Sequence, residues 1–423
     1  MGSLPPELSW IALEHEVAEI LANQEVYGWS FDVEKARTLE CTLGQELHQL
    51  TREAHAEHPL VQGADFTPRR KNSTKGYFPD APFCKLIDFN PTSREHIAFI
   101  LSNFYGWKPH KLTETGKPVV DEFTLKDIGS PQALKYLRLL ELTKAYGMLS
   151  EGKNAWLRLV INGRLHHNCS VSTATHRCAH RKPNLAQVPS EGRFRELFTA
   201  TKGQVMVGAD LSGIELRMFA HYLARYDSGR YADILLNGDI HQVNADKIGI
   251  DRRTTKTITY AFLYGAGDQK IGLSYDPQLA PAKATAKGRE IRQAYLDAID
   301  GLELLVKAVK HKTQMAGYIN SIDGRPIFCD KPHKALNYLL QSGAGVIAKR
   351  WMVLTHDIMA EAKINANQLA FVHDELQFET TQEYVSDLKF TLLMAAQAAG
   401  EFYQLRVPLG AEAASGSNWS QVH

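Results

Sequence analysis

The sequence predicts an α+β fold in which two short strands, each ending in an acid, are separated by a long helical insertion. Gln204 to Asp210 is a short apolar run that ends in an acid, as expected of a buried strand delivering a side chain at its tip. Leu369 to Asp374 repeats that pattern. Between the two lie long helical patterns at Arg252 to Tyr264, Ala284 to Ala298 and Leu336 to Thr355.

The part ahead of the first strand is mostly helical. Ile11, Val17, Ile20 and Leu21 recur among charged positions until Gly28 halts the pattern. From Val33 to Ala56, Leu39, Leu43, Leu47 and Leu50 stand at spacings of three and four, the stripe of a long amphipathic helix. The stretch from Pro59 to Pro91 carries several prolines and the basic run Arg69, Arg70, Lys71 and Lys75, with weak periodicity, and reads as a long exposed loop or small insertion at a domain tip. Helical periodicity returns from Ser93 to Leu101 and from Pro131 to Leu149, and continues to Trp156. There is no internal repeat.

Bulk properties bound the class. At 423 residues the chain is long enough for roughly two to four domains. With 44% hydrophobic and 22% charged residues it resembles an average globular protein, which excludes a disordered or low-complexity chain. No apolar run approaches the roughly 20 residues that span a bilayer, and MGSLPPELSW lacks the regions of a signal peptide, so a soluble, unexported, cytoplasmic protein is expected. Cys41, Cys84, Cys169, Cys178 and Cys329 are scattered without a CxxC pair, so neither a structural zinc site nor a disulfide framework is suggested. Basic residues exceed acidic ones by one, and any basic groove must come from arrangement.

The chemistry lies in three segments. VGADLSGIELRMFAHY places Asp210 at a strand end and Glu215 about one helical turn later. FVHDELQFE places His373, Asp374 and Glu375 at a tight hairpin turn. An isolated strand-end Asp is ordinarily a cap or turn residue. The pair is different, because nucleotidyl transfer needs carboxylates from separate elements to hold two hard cations about 3.5–4 Å apart. Between them, RRTTKTITYAFLYGAG sets Arg252, Lys256, Tyr260 and Tyr264 at steps of four, so they spiral slowly along one helix face. The bland alternative is an amphipathic helix with packed tyrosines and solvated cations. The functional one is a cationic clamp for triphosphate oxygens beside rings that pack on a sugar and a base, with His241 of NGDIHQ as another phosphate donor.

These segments resemble the family A DNA polymerases, and most closely the replicative polymerases of short-tailed bacteriophages related to the T-odd group. Motif A (Asp210 to Tyr222), motif B (Arg252 to Gly267) and motif C (Val372 to Glu375) occur in order, joined by FNPTSREHI, GKPVVDE, KPNLAQVP, DGRP, ALNYLLQSGAG and SNWSQVH. The resemblance covers nearly the whole chain. It implies a template-directed enzyme that adds dNTPs to a primer 3′ end with two Mg²⁺ ions, Mn²⁺ being a substitute. Asp210 and Asp374 would bind both metals, with the backbone carbonyl of Leu211 on the nucleotide-side ion. Arg252, Lys256 and His241 would hold the triphosphate, with Lys256 as proton donor to pyrophosphate. Glu215 and Tyr260 would form the wall under the sugar, and Tyr264 would stack at the template position. Arg177, His333, Asn337 and Gln341 would read the minor groove near the primer end, where acceptors on every pair test shape and not sequence. His373 would sit against the primer terminus, and Glu375 would support the metal site.

The resemblance also implies a right-hand polymerase fold with an antiparallel-sheet palm, a helical thumb and helical fingers. The expected division is palm at 1–34, thumb at 35–150 with the basic insertion near 59–91, palm at 151–215, fingers at 216–330 and palm at 331–423. Where the family carries TGR this chain has Thr175, His176 and Arg177, so a histidine replaces a glycine and the local backbone is expected to differ. The family's proofreading domain would precede Leu8, and 3′ to 5′ exonuclease activity is not expected of this chain. Either the polymerase part stands alone or Met1-Gly2-Ser3 marks a shortened chain, and a separate exonuclease subunit or processivity factor is a candidate partner. The 59–91 segment stands where the closest phage relatives carry a thioredoxin-capturing insertion, but its length and composition argue against thioredoxin as a partner. A single-subunit RNA polymerase shares the two aspartates and the Lys/Tyr helix, and Glu215 argues against it because a ribonucleotide needs space there. A primer-template binder without turnover is disfavoured by the intact Asp210, Asp374 and Lys256.

Overall fold

The computed structural model describes residues 9–109, 111–113, 115–277 and 279–423, so residues 1–8 of the expected N-terminal palm piece lie outside the described residues. The chain forms two compact units. One joins Met1–Lys35 to Trp156–His423, and the other is Ala36–Ala155, which compares with the 35–150 expected for a thumb. No helix among the described residues is long and apolar enough to cross a membrane.

In the first unit, helix α1 (Ser9–Tyr27) is followed by a small antiparallel hairpin of strands β1 (Asn168–Ser170) and β2 (Ala179–Arg181). Strand β3 (Val205–Leu211) leads into helix α2 (Ile214–Asp227), and helices α3 (Ile240–Ile248) and α4 (Arg252–Leu263) come later. Helix α5 (Ala335–Glu361) precedes strands β4 (Ala366–Val372) and β5 (Glu375–Thr380), then helix α6 (Val385–Phe402) and strand β6 (Ala411–Gly416). The four long strands form one antiparallel sheet in the order β4–β5–β3–β6.

Residues opposite one another in an antiparallel pair share a face. Val207, Ala209, Leu211, Leu376 and Phe378 therefore lie together, and they join the largest core with buried residues of α5 and α6. The other face carries Asp210 between Glu375 and Glu412, and Gly208 beside Gln377. A Cβ at Gly208 would stand 2.5 Å from Gln377 Nε2 and 2.6 Å from the Val422 carbonyl, so this position accepts only glycine if the chain end is to lie flat on the sheet. Trp419 anchors that end in a cluster with Trp29 and Phe198 at ring separations of 5.0 and 5.4 Å.

The second unit has its own core of Ala54, Val61, Phe89, Ile97, Leu101, Leu125, Tyr136 and Leu139. Its helices begin at side-chain caps: Ser93 accepts from His96 N–H, Asp121 from Thr124 N–H, and Ser130 from Ala133 N–H ahead of Pro131. Two expectations are corrected here. The 59–91 segment is not a plain loop, because Leu60–Phe66 and Phe83–Asp88 pair as an antiparallel hairpin with the four basic residues exposed between them. Only Val61 of the first strand is buried and a bulge follows Gln62, so the period-2 signal is nearly absent. The helix starting at Pro131 stops at Leu149, and Trp156 opens a separate short helix after Gly152 takes φ +86°.

Beneath the sheet, Lys349 of α5 is fully buried and its ammonium lies 2.7 Å from both carboxylate oxygens of Glu14 on α1. Arg325 also pairs with Glu14, and with Asp323 at 2.7 Å. Removing one member of such a group strands the other's charge, while replacing both removes the desolvation cost as well. Glu14→Gln leaves the buried Lys349 ammonium without its carboxylate while Arg325 keeps Asp323, and should lower stability by about 3 kcal/mol in urea unfolding; adding Lys349→Met should recover most of it. Equal losses for the single and double changes would contradict the pairing.

Candidate active site

The register of β3 against β5 builds the acidic end of the sheet. Asp210 stands opposite Glu375, and one step further the Leu211 N–H donates to the Asp374 carbonyl at 3.1 Å. His373 and Asp374 are the two turn residues between Val372 and Glu375, and His373 takes φ +59° to close that turn. Glu375 is buried and held on three sides: by Trp419 Nε1 at 2.5 Å, Gln377 Nε2 at 2.5 Å and His423 Nδ1 at 3.1 Å.

The carboxyls of this end repel one another. Burial, then Asp210 and Glu215, raise the Asp374 pKa to about 7 against the opposing pull of Arg177. Burial, then Glu375, Glu215 and Glu412, raise Asp210 to about 6, and only His423 pulls it down. Asp210 as a whole residue is open to solvent, while protein crowds round its carboxyl, which is the part that titrates. Glu215, at the start of α2, accepts from Arg177 Nη2 at 3.2 Å and from Tyr264 O–H at 3.1 Å.

A second group gathers on α3 and α4. Asp239 caps α3 by accepting from His241 and Gln242 N–H, and its other oxygen pairs with Arg252 Nε at 2.7 Å. Asp251 caps α4. Burial and the neighbouring Lys256 and Arg252 push the His241 pKa down, so its ring is neutral at physiological pH. The His241 and Tyr260 rings lie 6.0 Å apart, and those of Tyr260 and Tyr264 are stacked at 6.5 Å. Burial and Glu215 raise both tyrosines, Tyr264 to about 12, which puts the carboxylate beside the aromatic end of α4. The Lys256 ammonium makes no hydrogen bond or ion pair among the described residues.

Asp210, Asp374, Glu215, Arg177, His373 and Tyr264 thus share one electrostatic neighbourhood, and Arg252, Lys256, His241 and Tyr260 adjoin it. Asn337 Nδ2 donates to the Leu263 carbonyl at 2.9 Å and ties the end of α4 to α5. Gln341, one turn further along α5, and His333, exposed in the turn before it, make no side-chain hydrogen bond among the described residues. At His176, which stands where the family carries a glycine, the backbone takes the left-handed conformation with φ +60°. The ring offsets this conformation through a 2.7 Å bond to Ser342 Oγ, which in turn meets Ser321 Oγ at 2.7 Å. Glu412, Gln377, Trp419 and His423 were not singled out by sequence reasoning. Gln377 lies within the FVHDELQFE segment, and the SNWSQVH resemblance marked the segment that carries Trp419 and His423.

The profile described as DNA polymerase family A matches residues 81–421. The chain belongs to this family. The DNA-directed DNA polymerase of Enterobacteria phage T3 is 30% identical over 98% of this chain and 70% of its own length. That of Escherichia phage T7 gives the same figures. A DNA polymerase I of Pseudomonas aeruginosa is 28% identical over 79% of this chain and 39% of its own. Among solved structures, the polymerase domain of Pol1 from M. smegmatis, in complex with DNA primer-template and dNTP, superposes with a TM-score of 0.78, covering 97% of this chain and 70% of that one at 22% identity. The fold is accordingly the right-hand polymerase fold, and the family A chain is a DNA-directed DNA polymerase that synthesises DNA on a template.

The raised carboxyls set a sign for stability. Asp374 and Asp210 hold protons more tightly in the fold than in the unfolded chain, so as pH rises from about 4 towards 7 the metal-free fold loses stability. Asp374→Asn removes one of these charges. In EDTA the variant should melt above wild type at pH 8 and match it more closely at pH 5. Parallel curves of melting temperature against pH for the two proteins would refute the repulsion.

Proposed function

We propose that this family A polymerase extends a primer 3′ end by two-metal nucleotidyl transfer, with Asp210, Asp374 and the Leu211 carbonyl holding two Mg²⁺ ions. The observation that carries the proposal is the uncompensated acidity at the strand ends. After burial, Asp210 and Glu215 raise the Asp374 pKa, Glu375 and Glu215 raise that of Asp210, and Arg177 is the cationic side chain that offsets Asp374. A donor set of hard carboxylate oxygens suits Mg²⁺, and Mn²⁺ as a substitute. Bound there, the ions would activate the 3′ hydroxyl and neutralise charge on the triphosphate.

The chain's own residues do the rest. Arg252 exchanges Asp239 for phosphate oxygens, and Lys256 meets the same triphosphate and passes a proton to the departing pyrophosphate. The neutral His241 donates a hydrogen bond through a ring N–H. Glu215 and Tyr260 wall the sugar, and Tyr264 leaves Glu215 when it stacks on the template position. Arg177, Asn337, Gln341, His333 and His373 contact the primer end. Similarity to the T3 and T7 polymerases across almost the whole chain supports a role in bacteriophage DNA replication in the host cytoplasm.

Two measurements test this. Asp210→Asn and Asp374→Asn should each nearly abolish primer extension while duplex binding in a gel-shift assay persists, because phosphate contacts are retained. More than about a tenth of the wild-type rate in either variant would remove the metal assignment. Tyr260 sets a finer test. In this family a tyrosine at the matching position goes with acceptance of dideoxynucleotides, since its phenolic O–H replaces the missing 3′ hydroxyl in the local hydrogen-bond network. Tyr260→Phe should leave dNTP incorporation near wild type and raise discrimination against ddNTPs by about two to three powers of ten, or about 3–4 kcal/mol. Unchanged discrimination in a dNTP/ddNTP competition would take Tyr260 away from the sugar.

A further inference from the structure

The β1–β2 hairpin brings together three groups whose chemistry the polymerase reaction does not use. His167 and Cys169 are two apart along the chain and so point to one side, and Cys169 lies directly opposite His180 in the pairing of β1 with β2. One ligand atom from each of the three falls within 4.8 Å of the other two. The Cys169 sulfur is 3.3 Å from His180 Nδ1 and 3.9 Å from His167 Nδ1. Tetrahedral bonds from one zinc-sized ion to a thiolate and an imidazole would separate those atoms by about 3.6 Å.

The surroundings are those of a ligand set. His167 is completely buried, and its Nε2–H donates to the Leu369 carbonyl at 2.9 Å, which leaves the Nδ1 lone pair directed at the sulfur. A ring nitrogen held by a backbone carbonyl while the other is offered to an ion is the usual outer support of a metal-bound histidine. Leu369 accepts this bond because it sits at the bulge between Gln368 and Ala370 on the edge strand β4. His180 is 6% exposed, and its Nε2 is buried with no hydrogen-bond partner among the described residues. Gln24 points its amide nitrogen at the Cys169 sulfur from 3.9 Å, while its amide oxygen is taken by Gln368.

We propose that His167, Cys169 and His180 form a binding site for one borderline-soft divalent cation of the zinc type, separate from the Mg²⁺ carboxylates. Two imidazoles and a thiol favour zinc over magnesium, whose preferred ligands are oxygens. Cation binding displaces the Cys169 proton into solvent and turns the thiol into a thiolate ligand. A solvent molecule completes the coordination on the side where Cys169 is only half-buried. The site's position suggests its use: through His167 and Leu369 it fastens the hairpin to the strand that ends at the His373–Asp374 turn.

Cobalt is the probe, because thiolate ligation gives a cobalt charge-transfer band that carboxylate sites lack. The chelator-stripped full chain would be loaded with Co²⁺ in excess Mg²⁺, which keeps cobalt from the oxygen site, and then desalted. Wild type should retain one cobalt per chain and show the band. Cys169→Ser should lose the band, His180→Gln should weaken retention at least tenfold, and Cys178→Ser should match wild type. Circular dichroism would establish that each variant is folded. Absence of the band from loaded wild-type protein would overturn the proposal without reference to any variant, and leave a thiol–imidazole hydrogen bond. A band that survives Cys169→Ser would overturn it equally.

Discussion

Everything at the acidic end depends on one register, the pairing of β3 with β5. With Asp210 opposite Glu375 and the Leu211 N–H on the Asp374 carbonyl, the tips of two strands distant in sequence are fixed within a hydrogen bond of each other. Side chains alternate across a sheet, so a slip of one residue would send Asp210 to the apolar face and Ala209 to the acidic one. The alternation in Val205–Leu211 and in Glu375–Thr380 prevents this, because Val207, Leu376 and Phe378 must meet the core. The same packing that stabilises the sheet thus aligns the carboxylates.

That alignment is unfavourable in itself. Four acids, Asp210, Asp374, Glu375 and Glu412, crowd one rim, and the chain manages them differently. Glu375 is buried with three donors and is locked in place. Asp210 and Asp374 receive no such satisfaction, and their raised pKa values record it. A site that stabilised its own carboxylates with arginines would have little affinity for a cation. The residual repulsion is a cost of the kind that functional sites commonly carry, where stability is traded for chemistry.

Much of this was legible before any coordinates. The apolar runs ending in Asp210 and Asp374, and the fourfold spacing from Arg252 to Tyr264, are strong local signals because burial dictates the first and helix geometry the second. The basic hairpin in the second unit escaped notice since both faces of its strands are exposed and no hydrophobic period is imposed. Trp419 and His423 gave no local signal, because their role comes from where the chain end lies on the sheet and not from their neighbours in sequence. His167, Cys169 and His180 were missed for a related reason. A search for paired cysteines does not find a ligand set assembled across a hairpin, although the H-x-C spacing on a strand would have placed two of its members on one side.

The discontinuity of the first unit has a consequence for how the protein is made. Helix α1 leaves the ribosome early, yet the elements it packs against, α5 and β4, are translated near the end. The Ala36–Ala155 unit, whose core is drawn from its own residues, is complete long before that. During synthesis the inserted unit can therefore fold while the amphipathic face of α1, with Leu13, Val17 and Leu21, still awaits its partners. Throughout that interval a nascent chain carries an exposed apolar stripe ahead of a finished module, which is the state in which a chaperone or a premature stop would meet this polymerase.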